Sequence, residues 1–342
     1  MSSQGTTSSR SNGRATRWHD GRVDSAKTTV GDLPEEALVA LLAQRLPLGN
    51  RTLVGPGDDA AVITTSDGRF VVTTDVLVEG HHFRRQWSTG TDVGVRAAVQ
   101  NLADVAAMGA CPTALVVAVT VPRDLPLEFV TGLADGLAQV CAPLGVGVVG
   151  GDLSAGPVVQ VAVTAHGDLQ GRAPVLRSGA QVGDTVAHAG VAGRSAAGLA
   201  LVEADEADCD RGLVEAYLRP TSPLAAGPAA AAGGATSMLD VSDGLVRDAR
   251  RIAAASNVLL ALETDAFADD LSRLSHAAAV LDTDPTTWVF GGGEDHGLLA
   301  TFPPGPLPEG FRRIGAVLPG CGVTVDGNLP PGTTAGWDHF AR

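Results

Sequence analysis

A chain of 342 residues suffices for two domains of ordinary size, and with 44% apolar and 18% charged residues it can bury a sizeable core. Lys plus Arg number 24 against 38 Asp plus Glu, so a formal net charge of −14 disfavours nucleic acid and anionic membrane as partners and obliges a phosphorylated ligand to come with cations. The one lysine, Lys27, sits in a polar N-terminal stretch, which excludes a Walker-A loop, a kinase-type phosphate lysine, a Schiff base and a Ser-Lys dyad.

Residues 1–30 are low in complexity, with five basic residues against Asp20 and Asp24, and are expected to form a disordered tail. Asp32 as N-cap with Pro34 just inside predicts a helix over 35–46. β-branched runs predict strands over 60–64 and 70–76, parted by Ser66-Asp67-Gly68. Apolar periodicity predicts a helix over 92–108, a strand over 114–121, a helix over 127–142, and strands over 146–149 and 158–166. The Gly-, Arg- and Pro-rich stretch 167–183 reads as a domain boundary. Beyond it come a strand over 185–188, helices over 195–204 and 224–232, and a strand over 238–241 feeding a helix over 244–255. Shorter strands are expected over 258–262, 297–302, 314–318 and 323–325. The fold class is therefore α/β (α+β), with two αβ domains over 31–170 and 171–342. Cys111, Cys141, Cys209 and Cys321 are far apart and form no CxxC, as suits reduced thiols in the cytoplasm. No apolar run approaches a membrane span, and no signal-type segment opens the chain.

The aspartates gather where αβ sheets bind ligands. Asp58 and Asp59 follow Gly55-Pro56-Gly57, and Thr73-Thr74-Asp75 ends a strand run. Asp104 lies on an otherwise apolar helix with Asn101 one turn earlier, Asp152 follows Gly150-Gly151, and Asp240 and Asp243 bracket Ser242 at a strand-to-helix junction. Taken singly, each is more often a turn residue or an N-cap. Together, these hard oxygens suit Mg2+, which also keeps water and phosphate oxygens as ligands. The neighbouring glycines allow backbone N–H groups to approach phosphate. Gly190 to Ser195 also reads as a weak phosphate turn. His82 is either a loop residue or a substrate contact, and Trp337 either core packing or a ligand platform.

In this order the segments resemble thiamine-monophosphate kinase, of the ATP-binding superfamily that includes aminoimidazole ribonucleotide synthetase and selenophosphate synthetase. The resemblance runs from about Gly31 to Phe340. It is carried by Gly57-Asp58-Asp59-Ala60-Ala61, by Thr73 through Phe83, by Asn101 through Ala110, and by Gly150-Gly151-Asp152. Leu176-Arg177-Ser178-Gly179-Ala180, Asp240 through Leu245, Gly292-Gly293-Glu294-Asp295 and Gly336 through Phe340 complete it. It implies magnesium contacts from Asp59, Thr73, Thr74, Asp75, Asp104, Asp152, Asp240 and Asp243, with Asp75 and Asp104 central to catalysis. It implies ATP contacts from Gly151, Asp152, Arg177 and Ser242, and substrate contacts from His82, Glu294 and Trp337. It also implies a homodimer whose N-terminal domains pair through their sheets, binding ATP near that interface. The chain departs from the family at His296, where an aromatic Tyr usually follows Glu-Asp, at the extra Gly291, and in its longer tail.

The implied reaction suits the composition. The acceptor phosphate of thiamine phosphate is largely ionised at neutral pH, so no lysine or activated histidine is needed. Several Mg2+ ions held by aspartates would let two anions meet, for direct in-line transfer of the γ-phosphoryl group of ATP with no phosphoenzyme. Two rivals remain at this point: another ATP-dependent synthetase of the same superfamily, or a non-catalytic nucleotide-binding module.

Overall fold

The computed structural model describes residues 28–56 and 60–330; the tail over 1–27, Asp59 and Trp337 lie outside them. Thr28 and Val30, read as the end of the tail, hydrogen-bond to the backbone of Leu127 and Leu125. Helix α1 spans Glu35–Ala43, shorter than expected, and Pro34 is its N-cap; Asp32 instead closes a 3-10 turn by accepting from the Thr29 N–H at 2.9 Å. A small ribbon joins β1 (Thr52–Val54) to β2 (Val62–Ile63).

The first sheet has four strands in the order β3 (Val71–Val78), β6 (Gln160–Asp168), β4 (Cys111–Val121), β5 (Gly147–Ala155). Only the β4–β5 pair is parallel. Helices α2 (Gly90–Ala107) and α3 (Leu127–Leu144) pack together against one face of it, with Leu102, Val105, Leu133 and Leu137 in its core. Thr89 opens α2 with a capping box, its backbone N–H donating to Asp92 Oδ2 at 2.7 Å. Sequence reading ends the fifth strand at Val149, because Gly150-Gly151 looks like a turn. The strand instead runs on to Ala155, since Gly151 has no Cβ to strike the Val117 carbonyl, which would lie 1.9 Å away.

The second sheet is six-stranded and mixed, ordered β12 (Gly322–Val325), β9 (Leu259–Leu262), β11 (Phe311–Leu318), β7 (Thr185–Ala189), β10 (Gly297–Phe302), β8 (Ser237–Val241). All its pairs are antiparallel except β12–β9. Its larger core draws on α4 (Arg194–Glu203), α5 (Arg211–Leu218), α7 (Leu245–Ser256), α8 (Ala268–Val280) and α9 (Thr286–Gly291). A smaller cluster joins α6 (Ala226–Ala232) and Ala107 of α2 to Met238, Leu298 and Phe302. Helix α2 therefore packs on both sheets, and the cleft between them opens beside it. All four cysteines are free. No described helix is long and apolar enough to cross a membrane.

Candidate active site

Strand alternation sorts the Thr73-Thr74-Asp75 run. Thr73 and Asp75 share the face that meets α2. The Thr73 hydroxyl donates to Asp104 Oδ2 at 2.9 Å, and the Asp75 N–H donates to Asn101 Oδ1 at 3.1 Å. Asn101 and Asp104 are one helical turn apart, so α2 presents both to β3. Thr74 turns to the other face, where its hydroxyl donates to the Val163 carbonyl at 2.9 Å.

From the second sheet, β8 delivers Asp240 at its end, and the turn Ser242-Asp243-Gly244 leads into α7. Asp248, fully buried in the first turn of α7, accepts from the N–H groups of Ser242 and Asp243 at 3.0 Å each. Arg251 pairs with Asp248 at 2.5 Å and with Asp243. The 291–294 loop nests against this turn: a Cβ on Gly293 would lie 2.4 Å from the Ser242 carbonyl, and the Glu294 N–H donates to that carbonyl at 2.8 Å. Glu294 (φ 70°) and His296 (φ 50°) both adopt the left-handed region, a local strain of about 1 kcal/mol or more each. Between them Asp295 points inward and accepts from the N–H groups of Gly193 at 2.5 Å and Ser195 at 2.8 Å. The glycine turn that reads as a weak phosphate site is thus closed by the protein's own carboxylate. Burial lifts Asp295 to about 7.

Thr73, Asp104, Arg177 and Asp240 line one cavity of 790 Å³ between the sheets. Burial, then Asp240 and Asp75, push Asp104 up to about 7, against the lowering effect of the Thr73 hydroxyl. Asp75 is also raised, by burial and then by Asp240, Glu294 and Asp243. His296 is buried with neither ring nitrogen hydrogen-bonded, and its Nδ1 lies 3.7 Å from Asp240 Oδ2. Burial disfavours its charged form, but the Asp240 and Glu294 carboxylates outweigh that and hold it above its ordinary value. Among the described residues no three His, Cys, Asp or Glu side chains form a ready cage for an ion. A metal here would complete its shell from water and phosphate oxygens, as Mg2+ does. The carboxylates of Asp75, Asp104 and Asp240 and the Thr73 hydroxyl are donors of that kind, and in that sense the residues fit.

Not every expected residue enters this cleft. Gly151 lies in register with Val117, Val163 and Asp75, so three strand spacings, about 14 Å, separate it from Asp75. Gly151 and Asp152 line a second cavity of 280 Å³ beneath α1, and Asp152 accepts from the Ser154 hydroxyl at 2.9 Å. His82 follows β3, its Nδ1 accepting from the Val78 N–H at 2.9 Å. Glu294 Oε2 lies 3.4 Å from Arg96. Arg96, Asp248 and Arg251 escape sequence reading. Arg96 and Asp248 each carried a usable signal, a charge on the apolar side of a helix, the same signal that exposes Asp104.

Residues 57–169 match the family model described as AIR synthase related protein, N-terminal domain. With the four-stranded sheet and its carboxylate-bearing edge, that defines the class. Over most of its length the chain is similar to the thiamine-monophosphate kinase of Mycobacterium tuberculosis (strain CDC 1551 / Oshkosh), 48% identical over 92% of this chain and 94% of the relative. It is also similar to that of Corynebacterium glutamicum, 41% identical over 91% and 95%. Among solved structures, AaThiL complexed with AMPPCP and TMP superposes with a TM-score of 0.73 at 30% identity, covering 92% of this chain and 99% of that one. The chain belongs to the thiamine-monophosphate kinase family.

Proposed function

We propose that this protein phosphorylates thiamine phosphate with ATP, giving thiamine diphosphate and ADP. The observation that carries the reading is the meeting of Thr73 and Asp240, one from each sheet, with Asp104 of α2 in one cavity of 790 Å³, within the size range of small-molecule and cofactor sites. The AaThiL relative, complexed with AMPPCP and TMP, supports the same pair of ligands.

The finer assignment follows from the chain's own chemistry. Asp75, Asp104, Asp240 and Asp243, with the Thr73 hydroxyl, would hold magnesium from the cleft; Asp59, Thr74 and Asp152 are also proposed as magnesium contacts, Thr74 and Asp152 from outside that cleft. Bound Mg2+ supplies neutralisation and alignment of the phosphates. Gly151, Asp152, Arg177 and Ser242 serve the nucleotide, and His82, Glu294 and Trp337 the thiamine end. The acceptor oxygen enters already ionised, so the protein has to position it rather than deprotonate it. That accords with a site without lysine, and makes transfer a direct in-line step. A homodimer formed through the four-stranded sheets, working in the cytoplasm without nucleic acid or membrane, completes the proposal.

The test is a product assay with ATP, Mg2+ and thiamine phosphate, read by chromatography beside free thiamine and other phosphate acceptors. Thiamine diphosphate should form from thiamine phosphate alone, with inversion at a chiral γ-phosphorus. Absence of that product, or its formation equally well from other acceptors, would sink the reading.

A further inference from the structure

We propose that Arg96 is the positioning residue for the thiamine end of the site, holding His82 and Glu294 in place from the helix between the two sheets. The proposal rests on the reading of His82 and Glu294 as acceptor contacts. Arg96 lies in the middle of α2 and is only 3% exposed, an expensive place for a guanidinium unless its donors are met. Its Nη1 donates to the His82 carbonyl at 2.7 Å and stands 3.4 Å from Glu294 Oε2. Its Nη2 donates to the Tyr217 carbonyl, and the guanidinium lies 4.6 Å from the centre of the Tyr217 ring. These partners come from the segment after β3, from the loop before β10 and from α5, so one side chain ties pieces of the chain that nothing local would align.

The carboxylate it holds is set up for recognition. Glu294 sits on a strained backbone (φ 70°), and its Oε2 is buried without a hydrogen bond, facing Arg96 across the ion pair. The side chain as a whole stays 39% exposed. A cationic, amino-bearing heteroaromatic would meet that exposed part in the orientation Arg96 imposes. Arg96 is not among the residues lining the cavity shared by Asp104, Arg177 and Asp240, so its influence should fall on the acceptor and not on the nucleotide.

Steady-state kinetics of the full chain with Mg2+ test this. Arg96→Met should raise the KM for thiamine phosphate about tenfold or more and leave the KM for ATP within about twofold, the scale of a lost charge-assisted contact. Arg96→Lys, which keeps the charge but not the fork, should raise it about threefold. In a Glu294→Gln background, Arg96→Met should add less than about threefold, since its effect runs through that carboxylate. An unchanged KM for thiamine phosphate in a folded R96M, an equal rise in both KM values, or fully multiplicative effects with E294Q would overturn the proposal. If R96M does not fold, R96K decides alone: a selective rise supports the proposal and no rise ends it. Wild-type protein in the same assay separates the two levels. If it makes no thiamine diphosphate, the functional reading falls and Arg96 with it; if it turns over normally, only the role of Arg96 is at stake.

Discussion

Asp104 faces two opposed demands: it is buried, where a carboxylate prefers to be neutral, and it is placed where a charge would be useful. Burial and the neighbouring Asp240 and Asp75 raise it to about 7. A carboxyl raised in the folded state disfavours folding once it must ionise. Metal-free protein should therefore lose stability as pH rises from about 4 to about 7, and be level above that. Asp104→Asn keeps the shape and removes the charge. Its melting temperature without metal should equal or exceed wild type and lose that part of the pH slope, while kcat falls by about 10² to 10³. Normal turnover of the variant at limiting Mg2+ would refute the assignment. At Trp337, outside the described residues, the check is kinetic. If its face meets the cationic ring, Trp337→Ala should raise the KM for thiamine phosphate about three- to thirtyfold and barely move that for ATP. At this scale the sequence was informative where a charge interrupts an apolar helix, as at Asp104. Arg96 and Asp248 carry the same signal, but it does not name the partners each serves: a distant carbonyl for one and backbone N–H groups for the other.

Helices α2 and α3 meet through glycines instead of interlocking side chains. A Cβ on Gly136 would stand 2.2 Å from the Thr91 carbonyl, and one on Gly94 2.2 Å from the Leu133 carbonyl. Backbone cannot yield as a side-chain tip can. Gly136→Ala should cost about 1 to 3 kcal/mol in denaturant unfolding and, by displacing α2, also weaken Mg2+-dependent activity. A second element-level test lies far from the cleft. Asp210 caps α5 through the Leu213 N–H at 3.1 Å and pairs with Arg273 of α8 at 2.5 Å, and those bonds, Arg273 first, hold it down at about 2. A lowered carboxyl contributes stability above its unfolded value of 3.8 that is lost as pH falls from about 4 to about 2. Asp210→Ala should cost about 1 to 2 kcal/mol at neutral pH, discounted for the half-exposed arginine, and the deficit should vanish near pH 2. The strands of the two larger sheets and most of the helices beside them were legible from periodicity, but the three-residue β1 was not. Helices α5, α8 and α9 were not: α5 and α9 have eight and six residues, too few turns to show a repeat. Strand β5 was cut short because glycine reads as a turn until the carbonyl crowding it is known.

At the scale of the molecule, sequence order gave two αβ halves but could not give the strand order β12-β9-β11-β7-β10-β8, which depends on pairings between distant segments. The same pairings produce the cleft, for they bring the first half of β3 and the end of β8 together beside α2. Among the described residues they also leave the other face of the four-stranded sheet open. Phe70, Val72 and Val76 are 55%, 56% and 44% exposed, on and just before an edge strand that otherwise looks designed for burial. An apolar sheet face left to water is a liability, and a second copy of the chain would cover it. Thr74, on that face, would then lie near the partner, consistent with a nucleotide bound close to the interface. Sedimentation should accordingly find a dimer at micromolar concentration. Val76→Glu places a charge in the proposed contact and should shift the protein toward monomer, with a higher KM for ATP and little change in the melting temperature of the isolated chain. A wild-type monomer at those concentrations, or a Val76→Glu dimer as tight as wild type, would show that the open face serves some other purpose.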